Sequence, residues 1–251
     1  MAIDVSPTGE GLCAHHADGH TAGVGLWHGM VFVNPDAGAG SLDDAVAGLD
    51  PYLGTFRPGE LQEIATARIP LAANWKLFVE NHIDVYHLWY LHERTLADFE
   101  HTRFEHHAVG PNWASYEPMR PGPAAGVNAV GDRIGHLDER DAAGIQAHLL
   151  FPNTLIAAST NYFATYAVHA LSPTASWIDL RIRGEAHADA PTLLDATRAF
   201  IDEDVRACEQ VQMAMSSRHF AVGPLARTHE RPIASFHTNL LAHLPVVHLV
   251  S

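Results

Sequence analysis

Short runs of apolar residues recur along the chain and predict β-strands. Residues 30–33 form one such run, closed by the turn sequence Pro-Asp-Ala-Gly, and LQEIATARIPLA (61–72) forms another. Three more runs follow in close succession: HLLFPNTLIAAS, YFATYAVHAL and SWIDLRIRGEA. A turn at 172–175 separates the last two, so these runs indicate an antiparallel meander.

Apolar residues at helical spacing predict four helices. Ser41 is a suitable N-cap with two acids after it, and that first helix is expected to end near Pro51. Nothing within NWKLFVENHIDVYHLWYLHERT is expected to break the second helix. The predicted helical segments are 41–53, 74–95, 191–219 and 228–243.

The remaining segments show no clear period. Residues 96–145 are polar and contain Gly and Pro, and residues 1–24 are interpreted as an irregular N-terminal remnant. No internal repeat or linker interrupts residues 25–251. The sequence therefore predicts an α+β fold in which a single domain packs long helices on an antiparallel sheet.

Composition and charge narrow the possible partners. The chain has 251 residues, 47% of them hydrophobic, and a formal net charge of −14, which repels nucleic acid and anionic membranes. It contains no run of eighteen apolar residues and no basic and apolar start typical of a secretory signal, so a cytoplasmic location is expected. The start at Met1 favours a self-contained chain over a piece of a longer protein.

Histidines are the candidate chemical groups. The chain has 19 of them, and the stretch NHIDVYHLWYLH (81–92) holds three beside an aspartate. A mononuclear iron(II) site needs two imidazoles and a carboxylate on one face of the metal. Five pairs of histidines are spaced five residues apart, namely 15/20, 82/87, 87/92, 101/106 and 243/248, so spacing alone selects none. On an ideal helix such a pair points about 140° apart and can share a metal only where the helix bends, opens or ends.

The residues around the second and third of these histidines carry a resemblance. The motif positions are Asn74, Trp75, Lys76, Glu80, Asn81, Asp84, Tyr86, His87 and His92. In type and spacing they closely resemble the iron-binding helix in the catalytic α subunit of Rieske-type aromatic-ring-hydroxylating oxygenases. Further segments resemble the same family, so that the likeness covers about residues 25–245: GLWHGMVFVNPDAG, LLFPNTLI, FIDEDVRACEQVQ and GPLARTHERPIASFHTNL. The resemblance implies a helix-grip type of fold.

The resemblance also implies a set of iron ligands. His87 and His92 are expected to be the two imidazoles and Asp204 the carboxylate, with Glu203 and Asp202 as its nearest rivals. In a continuous helix Asp84 lies about 300° from His87, where its carboxylate is expected to accept the N–H of that ligand. In the family this position also links the iron to a Rieske cluster in the neighbouring subunit.

Other roles follow from the same resemblance and from proximity along the chain. Tyr86 and Asn81 match family positions around the iron, and each fits equally well a core tyrosine or a polar helix contact. The residues expected to line the substrate pocket are Phe78, Leu88, Trp89, Leu91 and Phe200. A second metal at His101, His106 and His107 is the less favoured alternative, and His15, His16 and His20 are expected to be mobile.

The chain departs from the family in one respect. A Rieske cluster needs two cysteines and two histidines, which the family arranges as C-x-H and C-x2-H. Cys13 and His15 match the first half, but the remaining cysteine, Cys208, lies in the predicted carboxylate helix, so no Rieske cluster is expected in this chain. Electrons would then come from a separate Rieske-bearing partner and a reductase, from another reductant, or not at all if the fold has a non-redox use. The first alternative is favoured by the retained Asp84.

These inferences predict an Fe(II) oxygenase subunit, a mono- or dioxygenase. It is expected to insert oxygen from O2 into an organic, apolar or ring-containing substrate, within a trimer-based homo- or hetero-oligomer. The alternative is a catalytically silent scaffold or ligand-binding subunit of a hetero-oligomeric oxygenase. The intact ligand set favours the enzyme, because a dead site has no reason to keep His87, His92 and Asp204 together.

Overall fold

The structure, a computed structural model, describes residues 3–8, 11–16, 21–100 and 103–243. The strands within these residues are β1 Ile3–Thr8, β2 Gly11–His16, β3 Thr21–Trp27, β4 Met30–Asn34, β5 Gln62–Leu71, β6 Phe104–Val109, β7 Trp113–Pro118, β8 Gln146–Leu150, β9 Thr154–Ser159, β10 Tyr162–Ser172 and β11 Ala175–Gly184. The α-helices are α1 Leu42–Val46, α2 Trp75–Ile83, α3 His87–Leu91, α4 Ala190–Ala214 and α5 Arg231–His243. Short 3-10 helices lie at Asp50–Tyr52, Pro58–Glu60, Gly126–Ala129 and Asp141–Ala143.

A seven-stranded antiparallel sheet forms the centre of the molecule. Its strand order is β5-β11-β10-β9-β8-β7-β6, so the predicted meander and the α+β class are confirmed. The run HLLFPNTLIAAS, expected to be one strand, divides into β8 and β9. Pro152, which has no N–H to donate to a ladder, lies between these two strands.

One face of this sheet carries α2, α4 and α5 and encloses the larger part of the core. Within this face a row of residues in register crosses the middle strands, from Tyr116 on β7 to Ala147, Ala157 and Ala164 on β8, β9 and β10. Three consecutive alanines leave more space between the sheet and the helices than larger side chains would. This row is called the alanine floor.

The other face of the sheet is also covered, by a second core cluster that includes Leu49, Phe56 and Ile134. Strand β7 is consequently buried at all six positions. Residues 96–145 were predicted to be irregular, and strands β6 and β7 show that prediction to be wrong for part of the segment. A strand buried on both faces does not alternate between apolar and polar residues, so it carries no period that the sequence could reveal.

The N-terminal segment also differs from its prediction. Strands β1, β2 and β3 join β4 in a four-stranded antiparallel sheet, where an irregular remnant over 1–24 was expected. The predicted boundary at residue 24 falls inside β3. Pairing between backbones orders this glycine-containing stretch without the apolar alternation on which the prediction relied.

The α-helices lie where they were predicted, but they are shorter than predicted. Ser41 caps α1 as expected, its side chain accepting a hydrogen bond from the backbone N–H of Asp44, but α1 ends at Val46 and a separate 3-10 turn contains Pro51. Helix α4 ends at Ala214 and α5 begins at Arg231, inside the predicted limits. None of the helices that the structure describes is long and apolar enough to cross a lipid bilayer.

Candidate metal centre

The segment that holds the motif is interrupted rather than continuous. Helix α2 begins after its cap Asn74 and ends at Ile83, and α3 begins at His87, so the prediction of one helix over 74–95 was wrong. Asp84 lies in the break with extended backbone angles, and its carboxylate accepts a hydrogen bond from the backbone N–H of Tyr86 at 2.9 Å. Such a local bond offers the backbone an alternative to the helix. The angular argument for a continuous helix therefore does not apply here.

The break brings the two candidate imidazoles together. His87 is the first residue of α3 and His92 follows its last, and the ring centroids lie 5.1 Å apart. Asp204, on the adjacent helix α4, places its Oδ1 atom 3.6 Å from His87 Nε2 and 3.0 Å from His92 Nε2. Candidate ligand atoms of all three side chains lie within 4.8 Å of one another. The three predicted ligands thus form one cluster, which we call the triad.

In each of the two imidazoles, Nε2 lies near Asp204, and Nδ1 makes a hydrogen bond to another residue. His87 Nδ1 donates to the backbone carbonyl of Asp84, and His92 Nδ1 donates to Glu203 Oε2 at 2.7 Å. The hydroxyl of Thr95 donates to the same Glu203 oxygen at 2.7 Å. Because both Nδ1 atoms face acceptors, we assign the hydrogen to them, which leaves the Nε2 lone pairs directed at Asp204.

Glu203 and Asp84 therefore have contacts that the sequence did not predict. Glu203 was a rival to Asp204 as a ligand, and in the fold its carboxylate orients His92 instead. The carboxylate of Asp84 was expected to hold His87, but the backbone oxygen of the same residue makes that contact. Only the family resemblance favoured Asp204 over Glu203. Spacing does not separate them, because neighbours on a helix differ only in the direction in which they point.

The other two predicted residues differ in their proximity to the triad. Asn81 donates from its side-chain amide to Asp204 Oδ1 at 2.8 Å, so it orients the carboxylate. Tyr86 is 38% exposed, and its ring packs at 5.4 Å between centroids against His229. Asn81 thus contacts the triad directly, whereas Tyr86 faces outward.

Burial and charge determine the protonation of the triad. Burial alone would lower the pKa of His92, but hydrogen bonds and charge from Asp204 and Glu203 together raise it above the ordinary value. Burial alone would raise the pKa of Asp204, but His92, His87 and Asn81 together lower it. Burial lowers the pKa of His87. Burial thus opposes the charged form of all three side chains, and the partners of His92 and Asp204 outweigh it.

A small cavity, called the inner cavity, adjoins the triad between the helices and the alanine floor. Its volume is about 30 Å³. The lining residues are His82, His87, Leu88, His92, Leu96, Tyr116, Ile145, Ala147, Ala157, Phe200 and Asp204. Apart from the triad, His82 and Tyr116, this lining is apolar. Burial, followed by the nearby His87, lowers the pKa of His82 to about 4.

Two of the five predicted pocket residues line this cavity, Leu88 and Phe200. Phe78, Trp89 and Leu91 do not line it. Phe78 is buried in the main core, and Trp89 packs edge-on against Phe104. Proximity along the chain misled the prediction because the direction of each side chain depends on where α2 ends and α3 begins. Sequence reasoning also missed the sheet residues of the lining, of which Tyr116 lies in a segment without visible period.

A second and wider cavity lies on the other side of Asn81. This outer cavity has a volume of about 210 Å³ and is lined by Leu77, Glu80, Asn81, Asp84, Ala207, Cys208, Val211 and Ile233. Glu80 pairs with His237 at 2.9 Å, and burial raises the pKa of Asp84. Burial likewise raises the pKa of the Cys208 thiol, which is buried in α4 and free.

The triad is the one group of three or more potential metal ligands among the described residues. His20 and His101 lie outside those residues, as do the side chains of His15, His16 and His106, so a second metal there stays a prediction. His107 packs against the rings of Phe104, Tyr116 and His229.

The triad fits a divalent metal ion of the first transition series. Two imidazole lone pairs and a carboxylate oxygen converge within a buried space, an arrangement that a proton or a cation must stabilise. Two histidines and one carboxylate on one side of a metal are the ligand set of non-haem iron(II) oxygenases. The hydrogen bonds to both Nδ1 atoms are those that metal-binding histidines make in proteins.

Comparison with known proteins gives the same family for most of the chain. Residues 58–245 match the family model described as "Ring hydroxylating alpha subunit (catalytic domain)". The chloroplastic choline monooxygenase of Spinacia oleracea is 25% identical over 232 residues, which are 85% of this chain and 49% of that protein. The chain therefore spans about half the length of this curated relative.

Solved structures show the same fold. A quaternary ammonium Rieske monooxygenase, CntA, in complex with an inhibitor superimposes with a TM-score of 0.72 at 19% identity, over 88% of this chain and 61% of that one. Naphthalene 1,2-dioxygenase from Rhodococcus sp. bound to indole gives a TM-score of 0.64 at 17% identity, over 89% of this chain and 67% of the other.

Proposed function

The chain belongs to the family of ring-hydroxylating oxygenase α-subunit catalytic domains, and we propose that it is the iron-bearing catalytic subunit of a Rieske-type oxygenase. It inserts one or two oxygen atoms from O2 into an organic substrate. The observation that carries this proposal is the convergence of two imidazole nitrogens and a carboxylate oxygen within 4.8 Å beside a largely apolar cavity.

His87, His92 and Asp204 would hold the iron. When bound there, Fe(II) supplies the electron-rich centre at which O2 is activated. Glu203 and the carbonyl of Asp84 fix the tautomers and directions of the two imidazoles, and Asn81 fixes the carboxylate. The apolar lining excludes bulk water from the substrate, which limits the loss of reactive oxygen species to solvent.

A separate Rieske-bearing protein, reduced by a reductase, supplies the electrons. With two cysteines in the sequence and Cys208 buried in α4, the chain does not offer the cysteine pair that a Rieske cluster needs. A solved CntA structure is described in terms of inter-subunit electron transfer in that protein. By analogy we propose a trimer-based homo- or hetero-oligomer in which a Rieske centre approaches the outer cavity near Asp84.

The inner cavity favours an uncharged, apolar or ring-containing substrate. The relatives named above include enzymes of choline and of quaternary ammonium compounds. In this chain Asp204 is the one carboxylate that lines the cavity, and it already faces the two imidazoles. A permanently cationic substrate would therefore lack a counter-charge of its own.

Metal uptake tests the proposal. Purified apoprotein titrated with Fe(II) under anaerobic conditions is expected to bind one ion per chain, and His87→Ala is expected to bind less than about a tenth as much. His237→Ala, which removes a histidine from the outer-cavity side, serves as the matched control and is expected to bind like the wild type. A wild type that takes up only a trace of Fe(II), unchanged by His87→Ala, would refute the oxygenase and favour the scaffold or ligand-binding alternative.

Oxygen consumption tests the source of electrons. The iron-loaded chain is expected to consume O2 only when a reduced Rieske-bearing protein is added with a candidate substrate. Consumption with dithionite or ascorbate at the same rate and without the Rieske protein would contradict the proposed partner.

A further inference from the structure

His82 is a polar side chain in the inner cavity that the triad does not use. It lies on α2, and its ring packs at 5.9 Å between centroids against Tyr166. Its Nε2 atom lies 3.1 Å from the backbone carbonyl of Ile156 on β9. The backbone of His148 is a second hydrogen-bond partner near this ring. A carbonyl oxygen only accepts, so Nε2 carries the hydrogen at Ile156, and in the neutral ring Nδ1 is the acceptor.

The sheet side of the cavity is formed by residues of the central strands. Ala147 and Ala157 lie directly opposite each other on β8 and β9, and Tyr116 pairs with Ala147 on β7. The hydroxyl of Tyr116 donates to the backbone carbonyl of His82 at 2.7 Å, so its hydrogen is already engaged. The same bond ties the position of His82 to the alanine floor.

The helical side of the cavity is the side that can adjust. Leu88 lies on the five-residue helix α3 and Leu96 in the turn after it, whereas the floor belongs to central strands. A volume of about 30 Å³ is well below the several hundred Å³ typical of small-molecule pockets. An organic molecule must therefore be compact, and it must displace Leu88 or Leu96 rather than the floor.

Resting on the function proposed above, we propose that His82 determines substrate specificity. Its Nδ1 accepts a hydrogen bond from an O–H or N–H group of a compact neutral substrate that lies over Ala147 and Ala157. The substrate class is accordingly a small apolar molecule with one hydrogen-bond donor.

The chemistry of the ring supports this assignment. The lowered pKa of about 4 keeps the imidazole uncharged near pH 7, so an acceptor nitrogen is available there. A buried acceptor left without a donor costs free energy, so a molecule that lacks the donor is bound less well. Outside the triad and Tyr116, the other lining residues are apolar and offer such a molecule no polar contact.

Two probes of nearly the same shape test the proposal. Pyrrole carries an N–H group, and furan has an oxygen in its place. Wild-type protein loaded with Co(II) in place of iron is titrated with each probe, and the change in the visible Co(II) spectrum gives both affinities. Pyrrole is expected to bind about tenfold more tightly than furan, as one buried hydrogen bond implies.

Variants at His82 identify the acceptor. His82→Phe keeps a ring without an acceptor and is expected to reduce the pyrrole preference to less than about twofold. His82→Gln can donate to Ile156 and still accept, so it is expected to retain most of the preference. Tyr116→Phe removes the bond that positions His82 but leaves its ring in place, so it is expected to reduce the preference less than His82→Phe does.

The Co(II) content separates this proposal from the function on which it rests. All three variants are expected to bind one Co(II) per chain, because His82 and Tyr116 are not triad residues. A wild type without Co(II) uptake overturns the proposed function and this inference together. Normal uptake with equal affinities for the two probes, with no response to either at its solubility limit, or with a preference that survives in His82→Phe overturns the role of His82 alone.

Discussion

The inner and outer cavities are connected by one hydrogen bond between their lining residues and differ in volume, charge and surroundings. Asn81 lines the outer cavity and donates to Asp204, which lines the inner one. The inner cavity of about 30 Å³ has a sheet floor and a single carboxylate. The outer cavity of about 210 Å³ lies among helices and contains Glu80 and Asp84.

The pKa values of Asp204 and Asp84 show the effect of the different surroundings in the two cavities. Burial disfavours the charge of each, yet the pKa of Asp204 is lowered while that of Asp84 is raised. Asp204 has two imidazoles and an amide directed at it, whereas the carboxylate of Asp84 receives backbone N–H groups and faces Glu230. The partners of Asp204 therefore outweigh the effect of its burial on the pKa, whereas at Asp84 burial outweighs the partners.

The largest contrast is expected between Asp204→Asn and Asp84→Asn. Both changes remove a charge with little change of shape. Asp204→Asn is expected to weaken Fe(II) binding more than about a hundredfold, because the effect of a lost ligand exceeds that of a lost hydrogen-bond partner. Asp84→Asn keeps the backbone carbonyl that holds His87, and binding is expected to stay within about threefold. Anaerobic competition with a chelator measures both affinities, and equal losses would contradict the distinction between the cavities.

A smaller contrast is expected between Glu203→Gln and Glu80→Gln. Glu203 orients His92, and replacing such a carboxylate costs about ten- to a hundredfold in metal affinity. Glu80 pairs with His237 on the outer side, and its replacement is expected to leave metal affinity unchanged. The same chelator competition provides the measurement. An unchanged affinity in Glu203→Gln would show that His92 does not depend on this contact.

Filling each cavity compares their packing. Ala157→Leu adds three carbons above the floor of the small inner cavity and is expected to lower the free energy of unfolding by about 1–3 kcal/mol. Ala207→Leu adds the same three carbons beside the wider outer cavity and is expected to lower the free energy of unfolding by less than about 0.5 kcal/mol. Urea denaturation of the two apoproteins measures both values. A larger cost at Ala207 would reverse the comparison.

The smallest expected effect is the release of a proton when the metal ion binds. His92 has a raised pKa, so below that pKa a metal ion must displace a proton, and affinity falls about tenfold for each unit by which pH drops. Titration calorimetry in buffers of different ionisation enthalpy is expected to detect about one proton released per metal ion at about pH 6, below the ordinary pKa of histidine. Asp84→Asn is expected to give the same release, since the proton belongs to the inner cavity. Release that disappears in Asp84→Asn would assign it to the outer cavity instead.

The contribution of His92 to the stability of the apoprotein falls as pH rises, whereas metal affinity increases. The folded pKa of His92 lies above its ordinary value, so its contribution to stability is complete below pH 6.5 and is lost as pH rises through the folded pKa. Asp204 has a lowered pKa, so its contribution is present above pH 3.8 and is lost as pH falls through its folded pKa. Urea denaturation at a series of pH values measures the loss of the His92 contribution at rising pH and of the Asp204 contribution at falling pH.

The sequence by itself determined the class of fold and, through the family motif, the histidine pair of the triad. Alternation and turn residues predicted β10, β11 and the run that divides into β8 and β9, and helical spacing predicted α4 and α5. The motif around His87 and His92 selected one histidine pair out of five with the same spacing. These features are encoded locally, in residues close together in the chain, and can therefore be read without the fold.

Only the tertiary structure decided the arrangement around the triad. The end of α2 at Ile83 directed the carboxylate of Asp84 to backbone N–H groups and placed its carbonyl at Nδ1 of His87 instead. Packing of α4 against α2 gave Asp204 to the triad and Glu203 to the back of His92. The pairing of β7, β8 and β9 put Tyr116, Ala147 and Ala157 beneath them. Such contacts join residues far apart in the chain, and the directions of their side chains follow from packing, which no local pattern encodes.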